Sequence, residues 1–489
     1  MRCVKAKRPC SGYEDGEFSA FRQYGPHTTE ETPPFPSSAR KCGLPKRVPI
    51  PGTDVLPDDD IPPETSESQS NILALRAFFY DYCVNSTNQN LSRGFLSRLE
   101  VMARRLGPTS DLVKACQAVS FASHGKPLNR PVFVRKAERF YHELLGALAK
   151  AIENPTPANT DEARLIAMLL GLFQVRALKQ LIYDVACFIS LIPAIIWAQM
   201  TVASHKDHGN HDIHAKGLAA LMKVGYLPLD LLRGDGLRSF KHFRVSGVFS
   251  VSSLRGSNGN LDDLLNEVDS LWAKKESSYN SNDIHTLMDE SINLDHRLAK
   301  WQHSRVSEFQ PVTVGYISEK HNVTEIPVGY WPGKVDTYFD LYVAGVWNIY
   351  RSARLLLMVL MMSLSERLDR ADSSISYVFT AQEMFEDMIA SIPYHLTDNL
   401  PEFVKDSETG TDIADPGRSL GGLLLMHPLY VAANVPFLAE TERRYMRDCL
   451  MWIGSAMGLG QAALLAQDPD IDRDYLTSGF MIIWSGFLS

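Results

Sequence analysis

From residue 71 onward, apolar residues return every three or four positions, with polar residues filling the intervals. That is the period of a helix with one buried face. The clearest case is Phe133, Ala137, Phe140, Tyr141, Leu144, Leu145, Leu148 and Ile152, which follow Asn129-Arg130-Pro131, a stretch suited to a helix start. Val335 to Arg370 carries a second long pattern, so dense at "LLLMVLMMSL" (355–364) that it predicts a helix buried on most sides. Further helices are predicted over 71–84, 94–105, 109–123, 161–173, 215–224, 261–274, 283–305, 378–392, 421–434 and 439–466. Strand-type alternation is nearly absent, and "FRVSGVFSVSS" (243–253) is the candidate. No fixed-period repeat argues for a solenoid. The fold class predicted is all-α, a large helical domain.

The pattern changes upstream. Residues 25–70 hold ten prolines, at 26, 33, 34, 36, 45, 49, 51, 57, 62 and 63, among Ser, Thr, Asp and Glu. Such a stretch lacks the apolar groups that offset ordering entropy, so it is read as a disordered linker. The domain reading is therefore 1–24, a short basic tail with two cysteines; 25–70, the linker; and 71–489, the helical body.

Charge and cysteine usage narrow the function classes. The net charge of −8 excludes an overall basic field, so any nucleic-acid contact must be local. The seven cysteines are odd in number and scattered, which predicts reduced thiols inside a cell rather than a disulfide framework. No charged-then-apolar segment with a cleavage site opens the sequence, so secretion is not expected and the sequons at Asn85, Asn90 and Asn322 are read as chance. The most lipid-like run, "VACFISLIPAIIWA" (185–198), contains Pro193 and is shorter than the roughly 18–20 residues of a membrane span. No membrane role is expected.

The tail carries the main chemical signal. Cys3-Val-Lys-Ala-Lys-Arg-Pro-Cys10 offers two thiolates, while a zinc ion takes four ligands. The stretch "CVKAKRPCSGY" resembles the end of the fungal binuclear zinc-cluster transcription factors, in which six cysteines share two zincs and a proline-rich linker leads to a helical regulatory region. "LLGLFQ" (169–174), "WNIYRSARLLL" (347–357), "SIPYHL" (391–396) and "GGLLLMHPLYVAA" (421–433) are similar to landmarks of that region, in the same order. The resemblance makes Cys3 and Cys10 the fifth and sixth zinc ligands. The fourth falls one position before Met1, so the sequence is expected to begin inside the cluster. Lys5, Lys7 and Arg8 are then the candidate DNA contacts, through backbone phosphates. The half holding the base-reading helix is missing, and the chain as given is not expected to form the cluster.

The resemblance implies a nuclear regulator of RNA polymerase II genes. In complete form it would bind promoter DNA at CGG-type half-sites, as a homodimer, and answer a small-molecule effector. Such factors often govern pathway genes, including secondary-metabolite clusters. The alternative is a helical ligand- or partner-binding regulator that has lost DNA binding.

Other features are weighed against plainer readings. Gly417-Arg418-Ser419-Leu420-Gly421 matches the G-x-S-x-G elbow of serine hydrolases, which requires a hydrophobic strand before it. Here "TGTDIADP" precedes, so no enzyme is expected. His205, His208, His211 and His214 could hold zinc or copper but read better as a solvated loop before the helix near Ala215. Arg351 and Arg354 share a helix face beside an apolar stripe, which fits packing with a paired charge better than catalysis. Lys5-Ala-Lys-Arg8 and Lys46-Arg47 could serve nuclear import or remain solvated charge. Residues 175–199 interrupt the resemblance after "LLGLFQ", and two readings stay open: translation of a retained intron, or a buried helix kinked at Pro193.

Overall fold

The computed structural model describes residues 66–125, 130–153, 162–163, 165–173, 261–277, 281–319, 326–369, 374–408, 412–413 and 415–467. They belong to one unit running from Thr65 to Ser489. The fold is all-α among these residues, with one small hairpin. Residues 25–65 of the predicted linker, the strand candidate 243–253 and the predicted helix 215–224 lie outside the described residues, whereas residues 66–70, also read as linker, are the cap and first turn of a helix.

Helix α1 spans Glu67–Tyr82, starting four residues before the first periodic residue. A polar device fixes that start. Ser66 Oγ accepts from Gln69 N at 3.3 Å, and Gln69 Oε1 accepts from Ser66 N at 3.2 Å, closing a capping box. Helices α2 (Leu99–Leu106), α3 (Asp111–Gly125) and α4 (Pro131–Glu153) follow. Pro131 opens α4, where its missing N–H costs nothing. Residues 165–173 are helical, and Phe173 stacks on Tyr141 of α4 with ring centroids 4.7 Å apart.

Helices α5 (Leu261–Ser277) and α6 (Ser281–His303) pack on each other and on the central helix α7 (Leu341–Arg367). Between α6 and α7 comes the hairpin that the periodicity missed. β1 (Val312–Ile317) pairs antiparallel with β2 (Gly333–Thr337), from Val312 opposite Thr337 to Ile317 opposite Gly333, with an irregularity between Thr313 and Gly315. Residues 335–337 were predicted as helix. They extend instead because Asp340 starts the helix, its Oδ1 accepting from Val343 N at 2.9 Å.

Helix α7 is apolar around most of its circumference and buried accordingly. Its most apolar 18-residue window is long and apolar enough to cross a membrane, yet 94% of it is buried inside the body. A helix enclosed by other helices passes the same test as a span. Helices α8 (Ser374–Leu396), α9 (Leu400–Asp406) and α10 (Ser419–Ala433) follow, and α8 and α10 both pack on α7. The periodicity did not predict α9, which is short and capped by Asn399. The single helix predicted over 439–466 is two, α11 (Glu440–Ala456) and α12 (Gly460–Gln467). Gly458 breaks it with a φ of 75°, which a residue with a Cβ rarely adopts.

Arg418 ties the start of α10 to the end of α1. It precedes α10, donates from Nε to the Tyr80 carbonyl at 2.5 Å, and reaches the Cys83 carbonyl with Nη2. These carbonyls lie at the C-terminus of α1, where a cation is favoured. The guanidinium also covers the Tyr80 ring at 5.4 Å.

A candidate regulatory centre on the central helix

The residues singled out for zinc and DNA, Cys3, Cys10, Lys5, Lys7 and Arg8, lie outside the described residues, as do the four histidines and the segment 175–199. What the described residues bring together is a polar seam along α7. It is unusual because α7 is otherwise an apolar core helix, and buried polar groups must find partners.

One side of the seam faces α6. Trp347 donates from Nε1 to the Phe309 carbonyl at 2.7 Å, and its ring meets that of Trp301 edge-on at 5.6 Å. Tyr350 stacks on Trp301 at 5.2 Å and donates to Gln302 Oε1 at 2.7 Å. Arg354 grips Asp295 with both prongs, Nε to Oδ1 at 2.8 Å and Nη2 to Oδ2 at 3.2 Å. The paired charge expected for Arg354 is therefore present.

The other side faces α8 and the hairpin. Asn348 donates to Ser391 Oγ at 2.9 Å, and Arg351 donates from Nη1 to Asn348 Oδ1 at 2.8 Å and to the Tyr338 hydroxyl at 2.9 Å. Unlike Arg354, Arg351 forms no ion pair among the described residues, a departure from the expected pairing. Lys334 on β2 holds Asp387 of α8 at 2.6 Å and lies 3.6 Å from Asp336. Thr313 Oγ1 donates to Asp336 Oδ1 at 2.7 Å, closing the hairpin onto the same cluster. His395 sits one turn beyond Ser391, and its Nδ1 is 3.0 Å from the Ser391 carbonyl. Since that oxygen only accepts, Nδ1 carries the proton.

These groups are poised for structure, not proton transfer. Burial pushes His395 down to about 4, against the single bond to Ser391, so the ring is neutral near neutrality. Burial pushes Tyr338 up to about 12. Burial works against the charge of Arg351, but Tyr338, Asp387 and Asp336 outweigh it and hold the guanidinium above its ordinary value.

Ser419 has a structural explanation for its flanking glycines. It opens α10 after a loop, not after a core strand; Pro416 forms an isolated bridge with Thr397, and Gly417 N donates to the Leu396 carbonyl at 2.8 Å. A Cβ on Gly421 would come within 1.8 Å of the His395 carbonyl oxygen. The glycines thus allow α10 to cross the end of α8, and the elbow's strand is absent from this place. Among the described residues no group of three or more acidic, His or Cys side chains is placed to hold a metal. Cys83, Cys116 and Cys449, the described cysteines, are buried and form no disulfide. Burial pushes the Cys83 thiol up to about 12 and the other two further, so all three are inert.

Three of the sequence landmarks therefore meet in space. "WNIYRSARLLL" bonds to "SIPYHL" through Asn348 and Ser391, and "GGLLLMHPLYVAA" crosses "SIPYHL" where Gly421 meets His395. Over 444 aligned residues the chain is 39% identical to "Transcription factor dbaG" of Emericella nidulans, an alignment covering 88% of this chain and all of that relative. The chain belongs to this family of fungal transcription factors. No family model matches the chain, and no solved structure matches it. Within this family member, the periodicity and landmarks located Asn348, Arg351 and Arg354 but not Asp295, Lys334, Asp336 or Asp387. Their only sequence signal is an acidic or basic residue next to a buried run, which surface positions share.

Proposed function

We propose that this family member is a sequence-specific nuclear regulator of RNA polymerase II genes, controlling a pathway gene cluster such as one for a secondary metabolite. The observation that carries the reading is the 39% identity to a named transcription factor, running through the helical body and its converging landmarks. In this reading the body is the regulatory part. A small-molecule effector acts on it and homodimer contacts form through it. DNA contact belongs to a zinc cluster of which Cys3 and Cys10 supply two thiolates, with Lys5, Lys7 and Arg8 on phosphates of CGG-type half-sites.

Two thiolates do not fit a binuclear cluster, because each zinc takes four ligands and shared sulfurs still require the other cysteines. DNA contact in this reading needs the remaining ligands. A second reading is a helical partner- or ligand-binding regulator that acts without touching DNA.

The test is deletion of the gene with sequencing of all transcripts, paired with mapping of the tagged protein on chromatin. Loss of a contiguous set of transcripts with occupancy at their promoters supports the first reading. Transcript loss without promoter occupancy supports the second, and no transcript change overturns both.

A further inference from the structure

Arg351 is 1% exposed, yet it has no carboxylate partner. Its Nη1 is engaged by Tyr338 and Asn348, while Nε and Nη2, the edge that grips carboxylates elsewhere, face no acceptor among the described residues. The rings of Tyr338 and Trp347 lie 5.8 Å from its centre and give it partial cover. Two carboxylates act on it electrostatically, Asp387 and Asp336. Both turn to Lys334 instead, at 2.6 and 3.6 Å. The Oδ2 of Asp336 that points towards Lys334 accepts no hydrogen bond, although the residue is 1% exposed.

The pairing is therefore lopsided. Two cations share two carboxylates, and the half-exposed lysine holds both while the buried arginine holds neither. Attraction between charges grows as the surroundings dry out, and a bidentate pair with Arg outdoes a point contact with Lys. The guanidinium edge and Asp336 Oδ2 are complementary, buried and unsatisfied at once. No ion pair joins them, and the charge nearest Asp336 Oδ2 is Lys334 Nζ at 3.6 Å.

We propose that Lys334, Asp336, Asp387 and Arg351 form an ion-pair exchange, in which the charge of Lys334 keeps Asp336 on the hairpin side and its loss hands Asp336 to the free edge of Arg351. The exchange concerns the helical body alone and goes beyond promoter binding. It makes Lys334 the place where a change of charge at the surface is felt by the central helix. Asp387 connects the same event to α8, and Thr313 connects it to β1.

A double-mutant cycle on the full chain tests this, read as the thermal midpoint of the body. In the exchange, Asp336→Asn lowers the midpoint more in a Lys334→Gln background than in the unmodified protein, by about 3 °C or more, because Asp336 has by then become the partner of Arg351. If Asp336 serves Lys334 only, the loss is equal or smaller in that background, and the proposal is overturned. Hydrogen exchange on the surface variant Lys334→Gln gives a second reading without touching the core. The exchange predicts faster amide exchange in residues 312–317, with residues 341–352 at least as protected as before. Any other pattern overturns it. Lys334→Arg, which keeps the charge, leaves both segments unchanged if the exchange is real, and a shift there counts against it.

Discussion

Arg354 on the central helix and Asp295 on α6 form a two-pronged ion pair across 59 residues of sequence, with both side chains mostly buried. Removing one member strands the other charge in the core. Asp295→Ala should therefore cost about 3–5 kcal/mol of stability. Arg354→Lys should cost less, since it keeps the charge and loses the fork. Urea unfolding of the two variants, compared at equal slope, measures both. Equal costs would mean that the charge alone, without the fork, preserves nothing of the pair.

The body should fold without residues 1–65. The capping box at Ser66 and Gln69 supplies its own helix start, so a chain beginning at Thr65 keeps α1 intact. A chain beginning at residue 71 loses the cap and the first turn, and should be less stable by about 1 kcal/mol or more. Thermal unfolding of the two truncated chains makes the comparison. An insoluble product from the longer one would show that upstream residues belong to the core.

Arg418→Ala should detach the C-terminus of α1 from α10. The carbonyls of Tyr80 and Cys83 lose their cation, and the Tyr80 ring loses its cover. Hydrogen exchange in residues 76–84 should accelerate by about tenfold or more, as expected from losing roughly 1.4 kcal/mol of local stability. Exchange in α7 should not change.

The buried His395 gives stability a definite pH slope. Its folded value of about 4 lies below the ordinary 6.5, so the unfolded chain binds the proton more readily. The contribution is fully present above pH 6.5 and is lost as pH falls from there towards 4. Asp340 works in the opposite direction. Burial raises it from 3.8 to about 6, so its share is present below pH 3.8 and lost as pH rises through 6. The stability difference between the natural chain and His395→Gln should therefore grow as pH rises from 4 to 6.5. Denaturation midpoints at several pH values read it, and a flat difference would mean that the ring takes up its proton as readily folded as unfolded.

Ser419 should not react with a fluorophosphonate probe. It follows a loop, and its flanking glycines are explained by the crossing of α10 over α8. Stoichiometric labelling at Ser419, abolished by Ser419→Ala, would contradict this.

The helical class was legible because long apolar stripes dominate the chain, and α7 was the plainest of them. What the stripes could not show was where polar residues intervene. Ser66 and Asp340 set helix starts through their side chains, and Gly458 ends one through its backbone, so α1, α7 and α11 all differ from the periodic reading. The hairpin was missed because β2 borders an apolar helix and its residues were absorbed into it. Arg351 and Arg354 stood out in sequence, but their surroundings did not. Asp295 and Tyr338 come from different elements, and only the fold decides that one arginine meets a carboxylate and the other a phenol.

The enclosure of α7 has a further consequence during synthesis. Its cover includes α10, which begins at Ser419, some 50 residues after α7 ends at Arg367. At about 5–20 residues per second, roughly 3–10 s pass between the end of this membrane-like apolar rod and the first residue of its lid. A message broken between those points should yield a sticky fragment, bound for chaperones or degradation, whatever the fate of the N-terminal tail.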